Sequence, residues 1–207
     1  DIDALAVISE TEILFSLTLS ASLPGISGSV DDSDIVLFTA TQWGDDTDGI
    51  LSLYFDASDV ELSSDNEDID AIELLPDGDL LISTTGSFNV SGASGADEDL
   101  LRFTPVSLGS TTSGAWSLHI DSSDVGLGSE DIDGIASHGN GALHLSTLSS
   151  FSLDEVSGDD EDVFSFETET FGVDTSGVFL PTLLFDGSIH SLSGEDINAL
   201  DVVTASW

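Results

Sequence analysis

The stretch DIDAIELLPDGDLLIS, residues 68–83, decides the fold because it contains two apolar segments separated by a turn. The turn is Pro76-Asp77-Gly78. Proline fixes φ at the first corner of a turn and glycine supplies a positive φ. The flanking segments are therefore predicted to form a tight antiparallel hairpin.

The opening of this stretch occurs four times along the chain. DIDAI at residues 68–72 corresponds to DIDAL at 1–5, DIDGI at 131–135 and DINAL at 196–200, at intervals of 63 to 67 residues. Such a period indicates a repeat protein. We predict three repeat units, residues 1–67, 68–130 and 131–195, followed by residues 196–207 as the first strand of a fourth unit.

Two further signatures follow in each unit. The second reads DSDIVLF at 32–38, DEDLLRF at 97–103 and DEDVFSF at 160–166. Each closing phenylalanine precedes a glycine by eleven residues, at Gly49, Gly114 and Gly177. The third signature reads LYFDASDV at 53–60 and LHIDSSDV at 118–125, whereas its last copy, LFDGSIH at 184–190, lacks the second acid. The constant spacing predicts one structure built three times.

The local pattern within a unit is that of strands. Unit two has apolar segments at residues 69–75, 79–84, 98–104 and 115–121. No window keeps an apolar period of 3.6 residues over three turns, and Ser, Thr, Asp and Gly are too frequent for stable helices. In unit three, Gly139-Asn140-Gly141 replaces the hairpin turn.

These strands predict an all-β chain of three four-stranded antiparallel blade-like repeats plus one extra strand, in a β-propeller-like arrangement. Ordinary closed propellers have about four to eight blades. Three blades therefore argue against an ordinary closed ring.

The charge balance is extreme. There are 41 acidic residues against one Lys or Arg, Arg102, and the formal net charge is -40. Nucleic acids and anionic membranes would be repelled, so neither is expected as a partner. Self-repulsion destabilises the fold unless bound divalent cations, or high salt around a salt-adapted surface, screen it. A hydrophobic fraction of 40% still provides a core, which argues against disorder.

The residue types that are missing bear on localisation. Without Cys, neither disulfides nor thiolate metal sites are expected. The lack of Met and the start at Asp1 suggest removal of a leader during export. No apolar run approaches the roughly 20 residues of a membrane helix, so membrane insertion is not expected. We predict an extracellular or cell-surface protein.

Recurring acid pairs are the candidate metal ligands. Residues i and i+2 of a strand face the same side, so paired carboxylates repel unless a cation or protons intervene. Calcium suits such sites because it takes about six to eight oxygen ligands. The candidates are Asp1, Asp3, Asp68, Asp70, Asp131, Asp133, Asp32, Asp34, Asp97, Asp99, Asp160 and Asp162. The alternative is loop capping through backbone N–H bonds, which we prefer for Asp48, Asp77 and Asp186.

Four phrases of unit two resemble a class of secreted bacterial acidic β-repeat proteins. They are EDIDA at 67–71, DGDLLIS at 77–83, EDLLRFT at 98–104 and SDVGL at 123–127. The resemblance spans nearly the whole chain and includes no enzymatic motif. It implies an exported, propeller-like β-repeat.

The surplus first strand predicts self-association. An unpaired strand edge invites pairing with another chain, and a contact that does not close into a ring propagates into a filament. We therefore predict an extracellular structural protein that assembles head to tail through its terminal strands into a homopolymer, with Trp207 as an apolar terminal residue. Two alternatives stay open: two chains that close into six blades, and a fragment of a longer array.

Two other function classes compete with assembly. A calcium-dependent adhesive or glycan-binding module would use Trp43 or Trp116, unless both belong to the core. An enzyme is not expected, because the four histidines do not recur between units and neither an H-E-x-x-H nor a G-x-S-x-G motif occurs. Repeated sites favour repeated binding over one catalytic centre, although the many carboxylates leave a glycosidase pair open.

Overall fold

The computed structural model describes residues 1–138 and 141–202, and its regular structure is almost entirely β. Three four-stranded antiparallel sheets correspond to the three predicted units. The order of the four strands across each sheet is their order along the chain, and in units two and three a separate hairpin comes between the second and third strands. The prediction of an all-β chain with four-stranded antiparallel units is confirmed.

Each unit supplies its own strands. Unit one contains β1 (Ile2–Ser9), β2 (Glu12–Leu17), β3 (Ile35–Gln42) and β4 (Asp48–Phe55). Unit two contains β5 (Ile69–Leu74), β6 (Leu80–Thr84), β7 (Phe88–Val90), β8 (Ala93–Gly95), β9 (Leu100–Ser107) and β10 (Ser113–Ile120). Unit three contains β11 (Gly134–His138), β12 (Ala142–Ser146), β13 (Phe151–Ser152), β14 (Ser157–Gly158), β15 (Phe164–Thr170) and β16 (Ser176–Phe179).

Two smaller features complete the units. β7 pairs with β8, and β13 pairs with β14, as separate two-stranded hairpins. A short 3-10 turn follows the fourth strand of each sheet, at Ala57–Val60, Ser122–Val125 and Ser188–His190.

The hairpin at residues 68–83 has the predicted turn. The Leu75 N–H donates to the Asp79 carbonyl oxygen at 2.9 Å, and the Gly78 N–H donates to the Leu75 carbonyl oxygen at 2.9 Å. Gly78 has a φ of 92°, the positive value that the turn requires. In unit three, Gly141 has a φ of 88°, while residues 139 and 140 lie outside the described residues.

The phenylalanine–glycine spacing has a steric cause. The ring of each signature phenylalanine covers a glycine on the adjacent strand, where a Cβ atom would overlap the ring. The pairs are Phe38–Gly49, Phe103–Gly114 and Phe166–Gly177. The sequence prediction missed the two small hairpins, in which Phe88 covers Gly95 and Phe151 covers Gly158. Their sequence signal is a phenylalanine seven residues before a glycine.

The hydrophobic core lies between neighbouring sheets. One cluster joins units one and two around Phe55, Phe103 and Trp116, and a second joins units two and three around Phe164. Trp116 is 7% exposed, and its indole N–H donates to the Val60 carbonyl oxygen at 2.8 Å. Trp116 is therefore a core residue and offers no exposed face to a glycan.

Residues 196–202 are attached to unit three but do not form a regular strand. The Ile197 N–H donates to the Asp160 carbonyl oxygen at 3.1 Å. Every other first strand pairs with the second strand of its own unit, and residues 196–202 have no such partner in the part of the chain that the structure describes. The rest of the predicted strand, residues 203–207 with Trp207, lies outside the described residues.

Substitution of Gly114 tests the packing of phenylalanine on glycine. We expect Gly114→Ala to lower the free energy of unfolding by about 1 to 3 kcal/mol, because the new methyl group would overlap both the Phe103 ring and the Thr104 carbonyl oxygen. Chemical denaturation measures the change. The matched control is Ser117→Ala on the same strand, where the side chain is exposed and the change should stay below about 0.5 kcal/mol. Equal effects of the two substitutions would contradict the packing.

Candidate functional site

Acidic side chains of the first signature converge where the three units meet. The first strands β1, β5 and β11 are neighbours in that order. Asp3 lies in β1, Asp70 lies in β5, and Asp131 and Asp133 directly precede β11. These four carboxyls and Asp196, which follows unit three, interact electrostatically. We call the five residues the acid cluster.

Asp70 interacts with three other members of the acid cluster. It is 5% exposed, and its Oδ1 atom has no hydrogen-bond partner. Burial, followed by the charges of Asp131, Asp133 and Asp3, raises the pKa of Asp70 well above its ordinary value. A buried carboxylate without a donor or a cation is costly, so Asp70 favours its neutral form.

Asp131 and Asp133 extend the acid cluster towards the C-terminal segment. Asp133 Oδ1 accepts a hydrogen bond from Ser146 Oγ at 2.9 Å, whereas Asp133 Oδ2 and Asp131 Oδ1 have no N–H or hydroxyl donor. The Asp133 and Asp131 carboxyls lie within hydrogen-bonding distance of the Asp196 and Asp70 carboxyls, so a proton on one member of each pair can be shared. Burial, followed by the charge of Asp196, raises the pKa of Asp133 to about 8. Burial, followed by the charge of Asp97, raises the pKa of Asp131 to about 6. The unpartnered oxygens are thus spread over two adjacent units.

The last three of the four first signatures also contact the second signature of the preceding unit. The backbone N–H groups of Ile69, Ile132 and Ile197 donate to the carbonyl oxygens of Asp32, Asp97 and Asp160 at 3.3, 3.2 and 3.1 Å. Beside these bonds, carboxyls interact in the pairs Asp68–Asp32, Asp131–Asp97 and Asp196–Asp160. Burial, followed by the charge of Asp32, raises the pKa of Asp68 to about 7. Asp32, Asp97 and Asp160 therefore lie beside the first-signature acids, whereas Asp1 is exposed.

The second acid of the second signature fastens loops within its unit. Asp99 Oδ2 accepts the Ala96 N–H at 3.0 Å, and Asp99 Oδ1 accepts the Ser122 N–H at 2.9 Å. Asp34 and Asp162 accept the equivalent pairs of backbone N–H groups at 2.9 to 3.0 Å. Asp34, Asp99 and Asp162 are buried. Their bonds are those of the loop-capping alternative.

The only Lys or Arg of the chain does not neutralise the acid cluster. Arg102 Nε donates to Asp79 Oδ2 at 2.6 Å, and Arg102 Nη2 donates to Asp77 Oδ2 at 2.5 Å, at the hairpin turn of unit two. The preferred capping role is confirmed at Asp77, Asp48 and Asp186, each of which accepts a nearby backbone N–H. Arg102 is therefore engaged at the turn. Burial raises the pKa of Asp3 in the acid cluster, and the charge of the N-terminal ammonium partly offsets this effect. Protons or an external cation would reduce the remaining repulsion between the carboxyls.

A threonine turn, which the sequence prediction missed, joins successive units. The Gly109 N–H donates to the Tyr54 carbonyl oxygen at 2.7 Å, and the Thr112 N–H donates to Asp59 Oδ2 at 2.8 Å. In return, the Asp56 N–H donates to Thr112 Oγ1 at 2.9 Å. We call this set of bonds the unit junction.

The unit junction occurs a second time between units two and three. The Gly172 N–H donates to the His119 carbonyl oxygen at 2.8 Å, and the Thr175 N–H donates to Asp124 Oδ2 at 3.0 Å. The Asp121 N–H donates to Thr175 Oγ1 at 2.9 Å. The sequence signal is a Gly-x-x-Thr spacing at residues 109–112 and 172–175, which also occurs at 44–47.

A cavity of about 550 Å³ lies at the far end of the first strands. Val7, Leu74 and Pro76 supply part of its apolar lining. His119 stacks on Phe171 there, with 4.5 Å between the ring centroids. Burial, followed by the charge of Arg102, lowers the pKa of His119 to about 4. The imidazole is therefore neutral at pH 7. The lining of the cavity also includes the charged residues Glu73, Asp77 and Arg102.

No family model, curated protein or solved structure matches the chain. Over residues 1–138 and 141–202, no group of three or more His, Asp or Glu side chains is arranged to hold a metal ion. The same residues include no helix with the length and hydropathy needed to cross a bilayer. The calcium site and the resemblance to secreted repeats stay predictions.

The acid cluster predicts that stability falls as the pH rises. An aspartate with a raised pKa binds its proton more tightly in the folded state than in the unfolded state, where its pKa is near 3.8. This contribution is complete below the unfolded pKa and is lost as the pH rises through the folded pKa, about 6 for Asp131 and about 8 for Asp133. Thermal unfolding in chelator at constant ionic strength should show a Tm that falls between about pH 4 and pH 8.

Two variants test whether the acid cluster causes this pH dependence of the Tm. Asp133→Asn should reduce the fall in Tm, because the amide retains an acceptor for Ser146 Oγ but does not titrate. Asp46→Asn removes an exposed carboxylate and should leave the pH profile unchanged. A Tm of the parent chain that stays constant over this pH range would show that the cluster holds no protons.

Proposed function

We propose that this chain is an extracellular structural protein whose propeller-like units assemble head to tail into a fibre or surface array stabilised by divalent cations. The observation that carries the proposal is the attachment of residues 196–202 to unit three. The Ile197 N–H donates to the Asp160 carbonyl oxygen. In the same way, the Ile69 N–H of β5 donates to Asp32 of unit one, and the Ile132 N–H, just before β11, donates to Asp97 of unit two. The segment has the place of a first strand but no second strand beside it among the described residues, so its edge can accept a strand of another copy.

The order of the strands supports a propeller-like arrangement. The first strands of adjacent units lie next to each other, and the fourth strand of each sheet lies at its outer edge. The blades of a propeller are four-stranded sheets arranged around a central channel. Core clusters that join adjacent sheets fit the packing of such blades.

Unpartnered carboxylate oxygens support the role of divalent cations. Asp70 Oδ1, Asp131 Oδ1 and Asp133 Oδ2 are buried without a hydrogen-bond partner, and oxygen atoms of this kind are the ligands that calcium takes. Asp34 and its equivalents are weaker candidates because both of their oxygens already accept backbone N–H bonds. We therefore place the cation in the acid cluster.

A calcium-dependent adhesive or glycan-binding module is the second candidate, and the cavity favours it. Phe171 lines the cavity and is 50% exposed, so its ring can pack against a ligand. Trp43 is 47% exposed, although its indole N–H is already bonded to the Glu10 carbonyl oxygen at 2.8 Å. This candidate requires no contact between copies.

Light scattering and negative-stain microscopy of the whole chain test assembly. At about millimolar calcium we expect particles of many subunits, because bound cations reduce the repulsion between chains of net charge -40. In chelator at about 0.01 M salt, where the screening length is about 30 Å, the chains should separate into monomers. A chain that is monomeric under both conditions would exclude assembly and favour the binding module.

Melting temperatures test the cation site. Calcium should raise the Tm of the parent chain relative to chelator at matched ionic strength, because the ion binds only the folded state. The double variant Asp70→Asn and Asp133→Asn should lose this increase. Asp34→Asn is the control: its Tm falls because two backbone bonds weaken, yet the increase with calcium should persist. Equal Tm values of the parent with calcium and with chelator would leave salt adaptation as the reason for the acidity.

A further inference from the structure

The outer faces of units one and three present the two halves of a unit junction. Unit one has the turn at residues 44–47, and unit three has the 3-10 turn Ser188–His190, and neither forms a unit junction among the described residues. Residues 196–202 already lie at the first-strand position beside unit three, where Ile197 and Leu200 line a cavity with Leu184. On the basis of the proposed function, we propose that these two faces bind each other between two copies of the chain, with residues 196–202 of one copy in the place of β1 of the next. Trp43 of one copy then lies on Leu184 and Ile189 of the next.

The turn of unit one has the internal geometry of the two turns that already form junctions. Thr47 Oγ1 donates to the Gly44 carbonyl oxygen at 2.7 Å, as Thr112 and Thr175 donate to their own glycines at 2.8 and 2.6 Å. Gly44 has a φ of 106°, and the two equivalent glycines also have positive φ. The Gly44 N–H can therefore donate to a carbonyl oxygen of a neighbouring unit, and Thr47 Oγ1 can accept from a backbone N–H of that unit.

The face of unit three has the matching half. Ser188 Oγ donates to Asp186 Oδ1 at 2.6 Å, as the equivalent serines of units one and two do at 2.8 and 2.6 Å. This alignment puts Leu184 at the position of Tyr54 and His119, whose carbonyl oxygens accept the glycine N–H in the two internal junctions. Two of the three junction bonds can therefore be repeated, the one to the carbonyl oxygen of residue 184 and the one from the Asp186 N–H, whereas Ile189 supplies no acceptor for the third.

The two outer faces have apolar side chains at positions where the internal junctions have both apolar and polar or charged side chains. Trp43 takes the place of Leu108 and Phe171 before the turn glycine, and Ile189 takes the place of Asp59 and Asp124. Trp43, Leu184 and Ile189 are 47%, 56% and 73% exposed. In the internal junction, Phe171 stacks on His119 with 4.5 Å between centroids. Trp43 and Leu184 are at the corresponding positions.

A second copy of this chain is the occupant that fits both faces. The Thr47 N–H is already bonded to the Gly44 carbonyl oxygen at 3.1 Å, so it needs no aspartate acceptor from a neighbour. Each copy has a net charge of -40, and isoleucine at position 189 keeps one carboxylate out of a contact between two acidic chains. A buried tryptophan supplies the attraction that such a contact requires.

Introduced cysteines test the contact, because the chain has no Cys of its own. Positions 47 and 189 correspond to Thr112 and Asp59, whose N and Oδ2 atoms lie 2.8 Å apart. A mixture of the single variants Thr47→Cys and Ile189→Cys, oxidised with calcium present, should give disulfide-linked dimers. The chain with both substitutions should give a ladder of larger species. The control with Asp59→Cys and Thr112→Cys should form its disulfide within one chain and keep the size of a monomer.

The outcomes separate this inference from the proposed function. If the control forms its internal disulfide and the mixture gives no dimers, the contact between the two faces is wrong. If the parent chain still forms large particles in that case, the proposed function stands and the copies meet through another surface. If the parent chain is monomeric by light scattering, both the contact and the assembly are wrong.

Substitution of Trp43 gives a second measurement that needs no cross-link. Trp43→Ala should raise the protein concentration needed for assembly by about tenfold or more, because buried aromatic residues dominate protein interfaces. Trp43→Phe introduces the residue found at position 171 and should assemble like the parent. Circular dichroism confirms that both variants fold. Equal assembly of the alanine variant and the parent would overturn the role of Trp43.

Discussion

Each sheet of this chain depends on the sheet beside it. The Phe55 ring of unit one packs on Phe103 and Trp116 of unit two, with 5.1 and 5.9 Å between ring centroids. A single four-stranded unit would leave this apolar face in water, so burial of the core requires neighbouring units to stack. The unit junction adds hydrogen bonds between the same neighbouring units.

Stacking of similar units also brings similar charges together. The first strands are neighbours, and the same aspartates recur at the start of each one, so Asp70 meets Asp131 and Asp133. The chain has no second Lys or Arg to place there, because Arg102 is held at a hairpin turn by Asp77 and Asp79. The region where the units meet is thereby sensitive to whatever neutralises carboxylates, whether protons or cations.

The strands and the repeat were predictable because they depend on local patterns. The Pro76-Asp77-Gly78 turn, the apolar segments and the glycine eleven residues after Phe103 all report contacts between adjacent strands. The roles of the acids were less predictable. Asp32 and Asp34 are two residues apart and were expected to face the same side, yet Asp32 lies beside Asp68 while Asp34 bonds the backbone of its own unit.

The acid cluster and the unit junction depend on which sheets become neighbours. Strand patterns do not encode that choice, so convergence of Asp3, Asp70 and Asp133 was not visible in sequence. The Gly-x-x-Thr turn was missed for a related reason: it is short and polar, and its partners lie more than 50 residues away, as with the bond from Asp56 to Thr112.

The bond from the Gly109 N–H to the Tyr54 carbonyl oxygen uses backbone atoms alone. The bond therefore does not depend on the side chain at that position, which is tyrosine, histidine and leucine in the three units and which, as His119, also stacks on Phe171 of the next unit. At this residue the backbone oxygen forms the same bond in both junctions, while the side chain differs from unit to unit. A repeat protein with this division can duplicate or lose a whole unit without redesigning its joints, and one substitution can then change which neighbour a unit accepts.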